Sequence, residues 1–503
     1  MVTAQTAGTG SAGETAPPLD WIARNGYGFG AIVNGVKNAA FSTYLMLFYN
    51  QVIGVPAAIV GGAIAATLFL DALIDPIIGR WSDVTRSRWG RRHPFIYGSA
   101  IPTAVFFVMA WFPPAGLSNA QYGLWIFCTA LLTRMAVSLC EIPSSAMATE
   151  LTDDYDARTR LFSLRYWWGY VGAFGFTAFA LAVFFVATPQ YPRGQLNPAN
   201  YPPFAFLGAA LVVIGALVSG LATHRRIPYL RQSLVEPGRG IVSHVREMSA
   251  AMNNRAFMAI FGFGVFKYTA IGMYAATSLY FSTYLFKLDG RMLALLTFDS
   301  LIAATIAAPL APVMTRLMGK RNSSMVFAVA GVSLGQVPLV LSYFDVFYKP
   351  GDAMLVPVLF VIGAIYGAMV AISLINTSSM MADVVEDSAV RTGRHTAGTF
   401  FAASSFMQQC SSGLGIFAAG MVLTWSNFPE KAAPSSVTPA MIDSLLAHYI
   451  PAVSVLWGVG VLFLLFYPID RRKHEANVSR LRALEAEARA QAVEDSPLGA
   501  PLR

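Results

Sequence analysis

SSAMATELTDDYDARTR, residues 144–160, returns 234 residues later as SSMMADVVEDSAVRTGR, residues 378–394. Without gaps the two share Ser, Ser, Met, Ala, Asp and Arg at matching offsets. Each follows a long apolar run and opens a charged stretch. A fainter echo has nearly the same separation: DPIIGRWSD from Asp75, and APVMTRLMG from Ala311, 236 residues on. Chance likeness between charged loops does not readily keep one separation twice, so the chain reads as two copies of one unit. The unit is apolar. Of 503 residues, 55% are hydrophobic and 12% charged, where a soluble globular chain carries about 25% charged residues. A soluble fold would need an implausibly large core, so the composition points to a polytopic membrane protein.

Twelve apolar segments are long enough to span ~30 Å of hydrocarbon at ~1.5 Å per residue. They lie near 27–50, 57–79, 95–114, 120–147, 163–187, 204–224, 257–285, 292–315, 323–343, 354–381, 398–425 and 448–468. The longest polar connection between spans, 225–256, separates a bundle over 27–224 from a bundle over 257–468. Parallel repeats of six spans are the signature of the major facilitator architecture. The expected fold is all-α, with twelve transmembrane helices in two six-helix halves.

Basic residues orient the chain. Outside the spans, the loops opposite the termini hold only Arg193, Lys287, Arg291, Lys349 and Lys431. The remaining lysines and arginines lie on the side of the termini, which places both termini in the cytoplasm and the protein in the inner (plasma) membrane. The formal charge of +8 is accounted for by these loops and does not indicate nucleic-acid binding. Residues 1–26 lack a basic stretch followed by an apolar one and read as a flexible cytoplasmic tail rather than a signal peptide. In the tail 469–503, Val478, Leu481, Leu484 and Ala488 make a narrow apolar stripe at helical spacing, so the tail is expected to be partly helical. Cys128, Cys140 and Cys410 sit in apolar segments without metal-ligand spacing.

An ionisable side chain inside a span costs roughly 2.5–3.5 kcal/mol on insertion scales and is a functional candidate. Eight fall there: Lys37, Asp71, Asp75, Arg134, Glu141, Arg165, Lys267 and Asp299. Their even balance of sign predicts pairing around a water-filled cavity. Asp71 and Asp75, at i and i+4, share one face of the second helix. Arg134 and Glu141 share a face of the fourth, with Ser138 one turn before Glu141. Carboxylates that converge in a low-dielectric place repel one another, and a monovalent cation or a proton relieves that repulsion. Asp71, Asp75 and Glu141 are therefore expected within one cation's reach, with Ser138 adding a neutral oxygen. No histidine joins them, which disfavours a divalent-metal site. The run GRWSDVTRSRWGRR behind the aspartates is read as a loop whose arginines, Arg86, Arg91 and Arg92 among them, pair with Asp83 and with acids such as Glu150, Asp153 and Asp383. Such pairs would latch a cytoplasmic gate.

DPIIGRWSDVTRSRWGRRHPFI, with YGFGAIVNG at Tyr27, EIPSSAM at Glu141 and ADVVEDSAVRTGRHTAG at Ala382, resembles the glycoside–pentoside–hexuronide:cation symporters of the major facilitator superfamily, the family of melibiose permease. The resemblance covers roughly residues 25–470. It implies a sodium- or proton-coupled symporter without a cofactor, in which Asp71 and Asp75 match the cation-site pair. By the same match Glu141 lies at the joint cation and sugar site, Ser138 supplies a hydroxyl to the cation, and Arg165 helps hold sugar. The chain also departs from the melibiose-type pattern. Asn34 and Gly35 stand where those members have Lys-Asp, Ser145 replaces a tryptophan, Leu374 an aromatic, Gln409 a lysine and Ile74 an asparagine. The coupling acids are kept while much of the galactoside pocket is gone.

The expected activity is uptake of a sugar, glycoside or related organic solute by alternating access. A lysolipid or other amphipathic solute on the same fold is the alternative. Pocket candidates are Arg165, Glu141, Lys37, Asn34, Asn38, Lys267 and Gln409. Loss of a neutral oxygen at Ile74, and the longer Glu141 where aspartate is usual, favour the proton over sodium. The expected partners are a small-molecule substrate and membrane lipid, with a monomer as the working unit. No nucleophile–His–acid set, phosphate loop or metal motif points to an enzyme.

Overall fold

The computed structural model describes residues 19–152, 154–230, 252–392, 397–434, 436–480 and 483. Among these residues the structure is helical, with no strand. Eleven helices are long and apolar enough to cross a membrane: Ala57–Val84, His93–Trp111, Asn119–Ala148, Arg160–Phe184, Pro198–His224, Arg255–Leu285, Gly290–Met318, Lys320–Tyr343, Leu355–Arg391, Phe400–Trp425 and Pro439–Leu465. They are the second to twelfth spans expected from the sequence.

The first span is the exception. It is assembled from helices Trp21–Phe29, Ile32–Ala39 and Leu45–Leu47, with π-helical turns over Ala40–Tyr44 and Phe48–Ile53. Its composition explains why it stands apart. Lys37, Asn50 and Gln51 are buried in it, so it faces protein rather than lipid along much of its length. Single π turns tend to occur at functional sites. The fifth span carries two more, Val171–Gly175 and Ala180–Phe184.

Small residues bring the spans together, since apolar side chains gain little by leaving lipid for one another. Gly35 lies against the Gly169 carbonyl, joining spans 1 and 5, and Gly272 lies against the Ser412 carbonyl, joining spans 7 and 11. The repeated motif begins inside helices, and in its first copy the helix breaks at Thr152 and Asp154 before the next one starts at Tyr155. SSAMATEL continues the helix Asn119–Leu151, and the second copy continues Leu355–Thr392. Intrahelical bonding carries both spans past the apolar stretch, so Glu150 and Asp383 sit on helix ends.

The two halves meet most closely on the side opposite the termini. Spans 2 and 11 touch through Gly61, Gly413 and Gly420, which face Ile416, Ala65 and Ala57 respectively. Next to this seam lies a buried, uncharged hydrogen-bond network. Tyr284 Oη donates to Gln51 Oε1 at 2.7 Å and Tyr280 Oη to Asn50 Oδ1 at 2.9 Å. Gln51 Nε2 donates to the Pro429 carbonyl at 3.0 Å, and the Ala432 amide donates to Gln51 Oε1 at 3.0 Å. A further bridge runs from Gln195 Nε2 to Thr283 Oγ1 at 2.9 Å. On the side of the termini the described ion pairs stay within one half. Arg92 pairs with Asp83 at 2.6 Å and with Glu150 at 2.9 Å, and Arg91 pairs with Glu150 at 2.8 Å. In the other half Lys320 pairs with Asp383 at 2.6 Å.

Candidate cation and substrate site

Span 2 places Asp71 and Asp75 one turn apart, and Pro76 follows at once. Span 4 places Arg134, Ser138 and Glu141 on one face, with Pro143 two residues beyond Glu141. A proline inside a helix removes one i to i−4 bond. The carbonyls of Ala72 and Leu139 are thus released beside the acids.

Asp71 is 4% exposed. Its Oδ1 accepts a long bond from Ser138 Oγ at 3.4 Å, and Arg134 Nη1 lies 3.9 Å from its Oδ2. Arg134 also rests over the Phe41 ring, 5.8 Å from its centroid. Asp75 faces the other half. Gln409 Nε2 of span 11 donates to its Oδ2 at 2.9 Å, while Asp75 Oδ1 is buried without a hydrogen-bond partner. Glu141 is engaged elsewhere: its Oε1 lies 2.6 Å from Arg165 Nη2. Arg165 further donates to Ser144 Oγ at 2.8 Å and to the Glu141 carbonyl at 3.2 Å, and its guanidinium lies 5.6 Å from the Tyr27 ring centroid.

The ligand oxygens of the three acids do not all lie within 4.8 Å of one another, although Ser138 stands beside both Asp71 and Asp75 and Lys37 is in electrostatic reach of all three. The one described trio of carboxylate, thiol or imidazole groups with ligand atoms within 4.8 Å of each other is Asp383, Glu386 and His474, at the membrane edge. The Glu141 carboxylate is engaged by Arg165 through one charge-assisted bond, with a second Arg165 bond to the Glu141 backbone carbonyl.

Of the eight intramembrane charges, Arg134 with Asp71 and Arg165 with Glu141 form pairs. Arg134 is in electrostatic reach of both aspartates, and Lys37 of Asp71, Asp75 and Glu141. Lys37 is 7% exposed and has no described ion pair. Lys267, 1% exposed, lies 4.9 Å from the Phe263 ring centroid and 4.6 Å from that of Tyr268. Asp299 accepts from its neighbour Ser300 at 2.8 Å. Among the polar candidates of span 1, Asn38 is exposed and its Nδ2 donates to Asn34 Oδ1 at 3.2 Å.

The gate residues divide differently from the sequence reading. Arg91 and Arg92 reach Glu150 and Asp83, as expected, but Asp383 is taken by Lys320 and by His474 Nδ1 at 3.2 Å, not by the arginine loop. Span 9 begins at Lys320 on the same face of the half as Asp383, so the lysine wins by proximity. Arg86 is exposed without a described ion pair, and Asp153 lies outside the described residues. The helical segment 471–480 of the tail makes polar contacts to span 10. Lys473 Nζ lies 3.4 Å from Asp387, and Asn477 Nδ2 donates to Asp387 at 3.2 Å. Leu481, Leu484 and Ala488 lie outside the described residues.

Sequence reasoning missed Tyr27 and Ser144 as partners of Arg165, and the amide pair Asn50-Gln51. The last left a signal: two adjacent amides interrupt the apolar run LMLFYNQVIGV.

The chain is similar to other known proteins over most of its length. An uncharacterised symporter of Synechocystis is 25% identical, with 93% of this chain and 98% of that protein covered. The isoprimeverose transporter of Lactiplantibacillus pentosus is 23% identical over 90% of each. The glucuronide carrier protein homolog of Escherichia coli is 22% identical over 90% of this chain and 94% of that protein. Among solved structures, the nucleoside transporter NupG shares the fold with a TM-score of 0.62 at 13% identity, covering 90% of this chain and all of that one. A D-xylose-proton symporter does so at 0.59 and 14%, covering 89% and 97%. The family described as MFS/sugar transport protein matches residues 26–471, which span both six-helix halves and every candidate site residue, and the chain belongs to that family of major facilitator transporters.

Proposed function

We propose that this chain is a cation-coupled symporter for a sugar or glycoside. The observation that carries the reading is the bond from Gln409 to Asp75, which ties a coupling acid of one half to a pocket residue of the other. A cation at Asp75 and Asp71 neutralises charge at the seam between the halves. Coupling requires that its affinity differ between the two states of the transporter, or that cation and substrate favour each other. Arg165, Glu141, Lys37, Asn34 and Asn38 form the sugar-binding surface, with Gln409 at its edge and Lys267 behind it.

Lysine and arginine distribution places the side of the termini in the cytoplasm, in the inner membrane. The far-side network then seals the outside, and this is the inward-facing member of the alternating pair. Asp83, Arg91 and Arg92 with Glu150, and Asp383 with Lys320, are held ready within their own halves to meet across the cytoplasmic face when the outside opens. The transport unit is the single chain, since both halves of the site come from it.

The coupling ion is the proton. Ile74 contributes no oxygen beside Asp75, and the Glu141 carboxylate, paired with Arg165 here, is one methylene longer than the aspartate usual at this place and can swing between partners as a proton carrier. Reconstituted vesicles test both parts. Candidate sugars, glycosides and uronates are added with sodium present or replaced by choline, and external pH is followed. External alkalinisation with the right solute in either medium is expected. A strict sodium requirement without any pH change would overturn the proton, and no uptake of any sugar or glycoside would overturn the substrate class.

A further inference from the structure

A cavity of about 450 Å³ lies beyond the candidate site, towards the far side. Both halves line it. Span 1 contributes Ala39 and Thr43, span 5 Ala173, and span 7 Tyr274 and Ala275, while spans 8 and 10 close it with Asp299 and Tyr366. Its place relative to the sugar-binding residues follows from helix geometry. Ala39 is the residue after Asn38. Ala173 is eight residues past Arg165, and Tyr274 is seven past Lys267. At ~1.5 Å per residue the cavity begins roughly 2–12 Å beyond the polar groups on three separate spans. That is the reach from a sugar ring to a substituent on its glycosidic oxygen.

The lining is mostly apolar, and its volume falls within the ~300–1,000 Å³ of small-molecule sites. One acid interrupts it. The Oδ2 of Asp299 packs against Gly363, where any side chain would collide with it. The described hydrogen bonds to the carboxylate come from its neighbour Ser300, whose hydroxyl donates to Oδ1. No cation pairs with it among the described residues. A carboxylate facing plain hydrocarbon is costly, so a purely lipid-filled cavity does not account for it. Tyr274 is 46% exposed, facing this space beside the acid.

The geometry points to a glycoside as the transported substrate, with an apolar aglycone of about phenyl size lodged in this cavity and a hydrogen-bond donor at the aglycone's tip directed to Asp299. The inference rests on the sugar-symport reading and narrows it.

Binding to the purified full chain tests it with matched methyl, phenyl and 4-hydroxyphenyl glycosides of xylose, glucose and glucuronic acid. For the sugar that binds, the phenyl compound should bind at least about tenfold more tightly than the methyl one, because each buried methylene equivalent adds roughly fourfold. The 4-hydroxyphenyl compound should gain about tenfold more, as a hydrogen bond to a charged acceptor does. Ala275→Phe fills the cavity from span 7 and Ala173→Leu fills it from span 5. Either should bring the phenyl-to-methyl ratio close to one, and Asp299→Leu, which leaves no acceptor, should erase the gain from the ring hydroxyl. A phenyl-to-methyl ratio near one in the unaltered protein overturns the cavity assignment while leaving sugar transport standing. So does a ratio that survives both filling substitutions. Absence of binding by every glycoside overturns the sugar reading itself. Equal affinity for the phenyl and 4-hydroxyphenyl compounds removes Asp299 from the proposal.

Discussion

Asp75 carries a charge where charge is expensive, and half of its carboxylate has no partner. Gln409 satisfies Oδ2 and Oδ1 is left buried and bare. A buried unsatisfied polar atom costs about 1–3 kcal/mol, more when it is charged, so this oxygen is where an arriving cation gains most. Asp75→Asn keeps the shape and the bond to Gln409 while removing the charge to be balanced. Accumulation against a gradient should be lost, with the protein still inserted and still able to exchange substrate down its gradient. Asp71→Asn should lose accumulation as well, since it frees Arg134 from its acid. Uptake and counterflow in vesicles separate the two effects. Arg165 acts through the planarity of its guanidinium, which reaches Glu141 and Ser144 together. Arg165→Lys keeps the charge but cannot make both contacts. We expect the KM for substrate to rise about tenfold, the size of one lost charge-assisted bond, with expression unchanged.

Spans 2 and 11 form a close seam between the halves on the side opposite the termini. Gly420 faces the Ala57 carbonyl and Gly61 the Ile416 carbonyl, with no room for a side chain at either place. In a membrane such close approach is a main source of helix association. Gly420→Leu should push the outer ends of the two spans apart. The expected result is a lower unfolding temperature in detergent and a marked loss of uptake, measured beside Gly458→Leu. Gly458 lies on span 12 with open space around it, so that control should change little. In the interrupted first span, Asn38 is exposed in its helix Ile32–Ala39, while beyond the first π turn Asn50 and Gln51 are buried in the second.

At the scale of the whole molecule, the halves are joined on the side opposite the termini by uncharged groups, while the described ion pairs on the side of the termini stay within single halves. Gln51 joins Tyr284, Pro429 and Ala432, so Gln51→Ala leaves the Ala432 amide and the Pro429 carbonyl without this partner in this state, while Tyr284 keeps its bond to the Ala432 carbonyl. A penalty of about 1–3 kcal/mol shifts a two-state equilibrium by roughly 5- to 150-fold. Asn38→Cys, in a background with Cys128, Cys140 and Cys410 replaced, should become reactive to an impermeant thiol reagent from the outside when Gln51→Ala is added. Tyr284→Phe removes a single hydroxyl and should give a smaller increase. No change in labelling with either substitution would show that this network does not hold the outside shut.

Much of this was written in the chain itself. Apolar length fixed eleven of the crossing helices, because a segment without water must satisfy its own backbone and only a helix does so. The spacing of the two repeated motifs divided the molecule into halves, and rarity of charge in apolar segments picked out Asp71, Asp75, Glu141 and Arg165. Pairing was another matter. Which acid meets which base depends on helix rotation and on the state of the halves, and neither leaves a trace in composition. So Glu141 turns to Arg165, Asp75 crosses to Gln409, and Asp383 belongs to Lys320 rather than to the arginine loop. The Asn50–Gln51 seal and the cavity at Asp299 exist only because residues more than two hundred positions apart pack together. That juxtaposition is decided by the fold.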